Sequence, residues 1–491
     1  MAADAGSRRG PAPRGDLTQG GIGSTLLKFA LPTLASSILQ SLNGTINAIW
    51  VGRFLGENAL AATSNANMVM FLLTAFVFGF GMASTILIGQ AWGRKDVDGA
   101  RRIFGTAGGS FLVVTILIAI AGYFFSGSIL KLLGTPAEAA PLAHAYLQVI
   151  FLAMPALLLL TLLMMALRGA GDSITPLWFM IVAVLLDSGL NPVFILGLGP
   201  APRLGIAGSA TATLIANYTA LLGLIAYIYL KDLPLRLRAR ELSYLFPAVG
   251  ILKTMIAKGL PMGIQMIVIS VSALALVGLV NREGVDTTAA FGVALQLWTY
   301  VQMPAMSLGA AVSAMAAQNI GAGKWDRVGR ITRVGVVQSL LITGGLIVLL
   351  TLADRTVLAL FMGGGSPALP IAQHIHLVAT WNFLLFGVMM VLFATVRANG
   401  AVWAPLIILA IGLVPVRFGY ILATYGWLGA DAIWTSFPVT SLINLAMAAG
   451  YYLYGGWRKA RMTIEQRPGD DECIEQAEAT REPGGALNPA G

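Results

Sequence analysis

The sequence predicts an all-α membrane protein of twelve transmembrane helices, arranged as two six-helix bundles related by a parallel internal repeat. Three observations predict it. The 491 residues are 57% hydrophobic and only 11% charged, with a mean hydropathy of +0.79, whereas soluble domains carry about a quarter charged residues. Apolar runs of the roughly 20 residues needed to cross hydrocarbon recur twelve times. Finally, landmarks of the first six runs return in the second six at an almost fixed offset.

The spans lie near 26–51, 61–91, 103–125, 142–167, 175–197 and 205–230, then near 251–280, 288–317, 331–352, 371–396, 402–425 and 430–455. A polar segment, KDLPLRLRARELSYLFPAVG, separates the two sets. The chain therefore divides into an N-terminal tail (1–23), a first bundle (24–230), a linker (231–250), a second bundle (251–455) and a C-terminal tail (456–491). Both tails are polar and rich in Pro, Gly and charge, a composition that predicts disorder. The first residues, MAADAGSRRGPAPRGD, lack the apolar core of a signal peptide.

Loop charges orient the helices. Arg94, Lys95, Arg101 and Arg102 follow the second span, Lys231, Arg236, Arg238 and Arg240 the sixth, and Lys324, Arg327 and Arg330 the eighth. The intervening loops hold single charges, Arg53, Lys131, Arg203, Arg282 and Arg355. Basic loops face the cytoplasm, so both termini and the linker are expected there. This topology absorbs the net charge of +9 and removes the reason to expect a nucleic-acid partner. Cys473 is the only cysteine and His144, His374 and His376 are the only histidines, which leaves no thiolate or imidazole cluster for a metal.

The halves repeat. ALP at 30–32 answers GLP at 259–261, with prolines 261 − 32 = 229 apart, and LRGAG at 167–171 answers VRANG at 396–400 at the same offset. Gln90 matches Gln318 at 228, while Thr213 and Asn217 match Thr440 and Asn444 at 227. Each half holds an even number of spans, so both enter from the same side. Parallel halves related by an axis along the membrane normal are a transporter design that works by rocking.

Asp187, in LLDSGLNPVFI, is the chemical anomaly. An ionised carboxylate at mid-membrane costs a few kcal/mol, so it needs partners or a proton. Asn191 lies one turn on and shares its helix face. Pro192 has no N–H for the carbonyl of Ser188, which adds a free backbone oxygen. Such an oxygen-rich spot suits a hard cation such as Na⁺ or a titrating proton; a protonated Asp that ties helices together by hydrogen bonds is the alternative. Asn43 and Asn47 share a face of the first span, and Thr213 and Asn217 a face of the sixth.

The segments GQAWGRKD, LRGAGDSITPLWFMIVAVLLDSGLNPVFI with GIAGSATAT, and KGLPMGIQ with AAQNIGAGKWDR resemble the multidrug and toxic compound extrusion (MATE) family, from about Leu26 to Tyr454. The resemblance implies an exporter of small organic, often cationic, compounds, driven by H⁺ or Na⁺ entry. It also implies an N-terminal-bundle site of two acids, an Asn and a Thr. Carried over by motif, the first-helix acid falls on Asn47 and the Thr on Thr213, while the Asn-xxx-Asp-Pro pattern falls on Asp187 to Pro192 with acid and amide exchanged. This chain thus keeps one acid of two. Some relatives carry a Glu where Ile269 stands, and the tenth span has no acid, so coupling is expected in the first bundle alone, closer to the DinF-like branch. A Na⁺, if used, would sit at Asp187, Asn191 and Thr213.

Gln265, Gln296, Thr299, Gln302, Asn382 and Thr440 are candidates for the cavity wall of the second bundle, and so is Arg417, whose counterpart at 229 is Ser188. A cationic Arg417 would favour anionic or zwitterionic cargo. No GxxxxGK[ST] motif is present, so no nucleotide partner or ATP drive is expected. With no clustered nucleophile, base or metal set, no catalytic residue and no cofactor other than the coupling ion are expected. The expectation is a monomeric antiporter of the bacterial cytoplasmic membrane, in contact with lipid; the alternative is a flippase or exporter of a lipid-linked or polymeric precursor.

Overall fold

A computed structural model describes residues 15–132, 134–135, 138–460 and 462; the expected disorder of 1–14 and 463–491 lies outside them. The first half contains α1 (Ile22–Leu55), α2 (Glu57–Gly93), α3 (Val97–Leu132), α4 (Ala140–Gly169), α5 (Ile174–Leu196) and α6 (Ile206–Leu230). The second contains α7 (Val249–Val280), α8 (Val285–Gly321), α9 (Trp325–Leu352), α10 (Asp354–Met362), α11 (Leu369–Ala379), α12 (Asn382–Ala398), α13 (Trp403–Ile411), α14 (Arg417–Leu428) and α15 (Asp431–Tyr454). Among the described residues ten spans are long and apolar enough to cross a membrane, and the bent pair α11–α12 makes an eleventh. The remaining long helix, α8, has 37 residues and a length of about 55 Å. Its many Ala, Gly, Ser, Thr and Gln residues dilute its hydropathy.

Two spans are broken for identifiable reasons. Between α11 and α12 the axis bends by 43°, where Asn382 Nδ2 bonds the Ala379 carbonyl at 2.7 Å and Trp298 Nε1 bonds Thr380 Oγ1 at 2.9 Å. Between α13 and α14 the helix widens into one π-turn, Gly412–Val416, around Pro415, which has no N–H to donate.

Helix boundaries carry the repeat. α5 and α13 begin at Ile174 and Trp403, 403 − 174 = 229 apart, α4 and α12 end at Gly169 and Ala398, again 229 apart, and α3 and α9 begin at Val97 and Trp325, 228 apart. The second half has an apolar core of its own, whereas the core of the first half continues across the seam to Ile251, Met255, Met262, Ala316 and Ala317. The seam between halves is packed at the end that carries the basic loops, where Leu26, Phe29 and Ala30 of α1 meet Leu308, Ala311 and Met315 of α8. The polar contacts there are exchanged symmetrically. Gln90 of α2 donates to the carbonyl of Ala398 at 2.7 Å, and its repeat mate Gln318 of α8 donates to that of Gly169 at 3.2 Å. Gly93 lies against the backbone of Gln318, and Gly321 against that of Gln90, so closely that a Cβ on either would collide.

The folded part extends further than the sequence implied. Residues 15–21, assigned above to the disordered tail, run over the basic end: Leu17 N–H donates to Gln318 Oε1 at 2.9 Å and Arg327 caps the Gln19 and Gly20 carbonyls. At the other end Trp457 is buried, stacked on Tyr452, with its carbonyl taken by Asn399 at 2.8 Å. Short apolar anchors within polar sequence escape a composition argument. The linker folds over α3 through Arg101–Glu241 at 2.8 Å and Tyr244–Asp98 at 2.9 Å.

Candidate functional site

Asp187 sits near the middle of α5, 2% exposed. α1 and α5 each present an amide-bearing face with i, i+4 spacing, and α6 closes the third side. Oδ2 of Asp187 accepts from Asn43 Nδ2 at 2.7 Å and from Asn47 Nδ2 at 2.9 Å. Oδ1 accepts from Thr213 Oγ1 at 3.0 Å and from Asn191 Nδ2 at 3.2 Å. Asn191 also donates to Asn47 Oδ1 at 2.9 Å. Asn217 stands one turn behind Thr213 and donates to its carbonyl at 2.8 Å, so it supports the site without touching the acid. All six residues singled out for this site are thus brought together by three helices.

Four donors fill the lone-pair directions of an ionised carboxylate, and all four are neutral. The site has no cationic counter-charge: no ion pair to Asp187 exists among the described residues. Oδ1 of Asn43, Oδ1 of Asn191 and Oγ of Ser188 are buried without a partner. The same shell therefore holds spare oxygen acceptors, and rotating an amide exchanges its donor for its acceptor. No group of three or more His, Cys, Asp or Glu side chains among the described residues could hold a metal. What the donor set fits is a proton, or a hard monovalent cation met by amide, hydroxyl and carboxylate oxygens.

The cavity candidates of the second half do not converge. Gln265 is buried, with Oε1 taking Arg397 Nη1 at 3.4 Å; Asn382 caps the α11–α12 break and accepts Ser441 Oγ at 3.1 Å. Gln296 reaches Tyr300 at 3.5 Å on an exposed face, Thr299 bonds back to the Leu295 carbonyl, and Gln302 is half-buried. Arg417 is buried over the ring of Phe437, 4.6 Å from its centroid.

A duplicated helical fold with a lone acid buried among amides is built to move solutes across a bilayer, and it defines a secondary transporter rather than an enzyme. The chain belongs to the MatE family, whose profile matches residues 32–193 and 261–421, one stretch in each half. It is 37% identical over 437 residues to the probable multidrug resistance protein YoeA of Bacillus subtilis (strain 168), covering 89% of this chain and 94% of that protein. It is 31% identical over 455 residues to YpnP, a probable multidrug resistance protein of the same organism, covering 92% and 99%. A solved structure described as the outward-facing conformation of a multidrug resistance MATE family transporter of the MOP superfamily superposes with a TM-score of 0.82 at 21% identity, over 91% of this chain and 98% of that one. That likeness concerns the fold. The protein is a multi-pass membrane transporter of small molecules, of a family that uses ion coupling.

Proposed function

We propose that the protein exports small organic compounds across the cytoplasmic membrane in exchange for H⁺ or Na⁺, with both termini cytoplasmic and Asp187 as the coupling group. The observation that carries this reading is the burial of that carboxylate among four neutral donors with no counter-charge. A charge held only by dipoles in low dielectric gains strongly from a proton or a cation. On neutralisation, amide rotation at Asn43 or Asn191 turns an orphan oxygen toward the new O–H or the ion. The rearranged amides link α1, α5 and α6, so loading the ion changes how those helices pack. With the basic loops inside, the packed seam closes the cytoplasmic side.

The Gln90–Gln318 clasp supports a two-state gate at that side. Replacing both glutamines by Ala removes the two bonds across the seam and the two that Gln318 makes to the Leu17 N–H and the Gly15 carbonyl, each worth about 1 kcal/mol, and leaves three carbonyls and an N–H to find water. The double variant is expected to favour the cytoplasm-open form, which is the form that accepts cargo, and so to lower the KM for export several-fold while slowing turnover, with unchanged expression, as read in inverted vesicles. An unchanged KM removes the clasp from gating.

The coupling reading is tested with full-length protein in liposomes under an imposed pH or Na⁺ gradient, with a fluorescent organic cation as cargo. Gradient-driven accumulation is expected; accumulation equal with and without a gradient overturns antiport. A lipid-linked cargo is the second reading, favoured by an apolar crevice of about 370 Å³ on the seam, between Phe76, Phe80 and Ile118 of the first half and Met255, Leu260 and Ile264 of the second. Flipping of a fluorescent lipid in the same liposomes, with no movement of the dye, would select it.

A further inference from the structure

The second half carries its own polar centre at the level where the first half carries Asp187, and its charge is reversed. Arg417 lies near the middle of the span formed by α13 and α14, as Asp187 does in α5, and its repeat mate is Ser188, beside that acid. Thr440 and Asn444 are the mates of Thr213 and Asn217. The helices α14 and α15 run antiparallel in a constant register: Tyr420 bonds Thr435 at 3.2 Å, Arg417 covers Phe437, and Gly412 lies against the Asn444 amide. Arg417 is therefore level with Phe437 to Thr440, and Asn444 follows one turn along the same face of α15.

The contrast with the first half lies in how the charge is held. There the acid takes four hydrogen bonds, from Asn43, Asn47, Thr213 and Asn191, and the orphan atoms are neutral oxygens of its shell. Here, Arg417 Nε, Thr440 Oγ1 and Asn444 Oδ1 are all buried without a partner, and Arg417, 8% exposed, has neither a carboxylate nor a hydrogen-bond acceptor among the described residues. The Phe437 ring compensates the flat face of the guanidinium, but it takes none of the N–H groups on its edge. An unpaired cation at membrane depth is costly, and the unpaired polar atoms of Thr440 and Asn444 on the neighbouring helix add to that cost. The Thr440 hydroxyl and the guanidinium edge can each donate to an anion, and the Asn444 amide can do so only through its Nδ2, with the orphan Oδ1 turned away.

We infer that Arg417, Thr440 and Asn444 form an anion-binding site in the second half, which takes the carboxylate of a zwitterionic or anionic cargo. The rings beside it, Phe437 with Trp298 at 5.0 Å between centroids and Phe383 next to Trp298, are buried in the core of the second half and keep the surroundings of the site apolar. The two halves then divide the work, with the ion in the first and the charged group of the cargo in the second. This assignment rests on the export reading only in calling the ligand cargo.

The test is equilibrium binding by fluorescence anisotropy to the purified full-length protein, without any gradient, using a rhodamine that bears a free carboxylate and the methyl ester of the same dye. The free acid is expected to bind on the order of ten-fold more tightly than the ester. Arg417→Gln is expected to abolish that preference, Arg417→Lys to retain part of it, and Thr440→Val, which keeps shape and loses the hydroxyl, to reduce it about three-fold. Equal binding of acid and ester by the wild type, or an undiminished preference in Arg417→Gln, overturns the inference. Should Arg417→Gln melt at a markedly lower temperature, Thr440→Val decides by the same criterion. Because no gradient is used, an acid preference without ion-driven transport would sink the antiport reading and leave this site standing; driven transport of acid and ester alike, bound equally, would do the reverse.

Discussion

Asp187→Asn is expected to fold, to reach the membrane, and to export nothing above the background of empty vesicles under either a pH or a Na⁺ gradient. The substitution is nearly isosteric, and an amide oxygen still accepts from two of the four donors that surround position 187. What it removes is the variable charge. A side chain that is permanently neutral cannot alternate between an ionised form held by Asn43, Asn47, Thr213 and Asn191 and a form that carries an ion. Cargo binding without a gradient is expected to change less than three-fold, so the loss falls on turnover. Asp187→Ala separates this from a packing effect, because it leaves the donors unpaired at about 1–3 kcal/mol each and is expected to lower the melting temperature as well. Transport by Asp187→Asn that keeps its dependence on the ion gradient would remove this residue from coupling, and with it the functional proposal.

Much of this architecture could be read from residue order because a bilayer imposes strict lengths and a duplication writes the same landmarks twice. Pro32 with Pro261, and the Arg168 and Arg397 motifs, fixed the repeat before any helix was placed. The acid site was legible for a similar reason: Asp187 with Asn191, Asn43 with Asn47, and Thr213 with Asn217 are i, i+4 pairs, and a polar pair at that spacing in an apolar helix marks a face. Single residues carried no such mark. The ring that covers Arg417, Phe437, depends on which helices become neighbours, which periodicity within one helix does not encode. Gln265 and Asn382 looked like cavity residues because a buried amide reads the same whether it serves a ligand or the chain. The structure occupies the first with Arg397 and the second with a helix break. The anchors Leu17 and Trp457 were hidden for the opposite reason, since one apolar residue in a polar segment does not move its average.

The same duplication makes a prediction about the gate that few single-copy folds allow. Gly93→Ala and Gly321→Ala are expected to produce matching defects, since each places a Cβ against the backbone of the opposing glutamine's helix, Gln318 in one case and Gln90 in the other. Overpacking of this kind costs about 1–3 kcal/mol, and because the contact is backbone to backbone no rotamer change relieves it. The penalty applies only while the basic end is closed. Each variant should therefore shift the equilibrium toward the form open at that end by five-fold or more, rather than unfold the protein. The readout is maleimide labelling of Ala311→Cys, a seam position 1% exposed, in a background with Cys473→Ser. Labelling from the basic side should accelerate at least five-fold in both variants, and gradient-driven export should fall about ten-fold. Gly108→Ala on α3, where an added Cβ meets nothing within 4 Å, is the control and should leave both rates alone. A defect confined to one of the two glycines would mean that the crossing is asymmetric in use, and that the halves do not close as repeat-related partners.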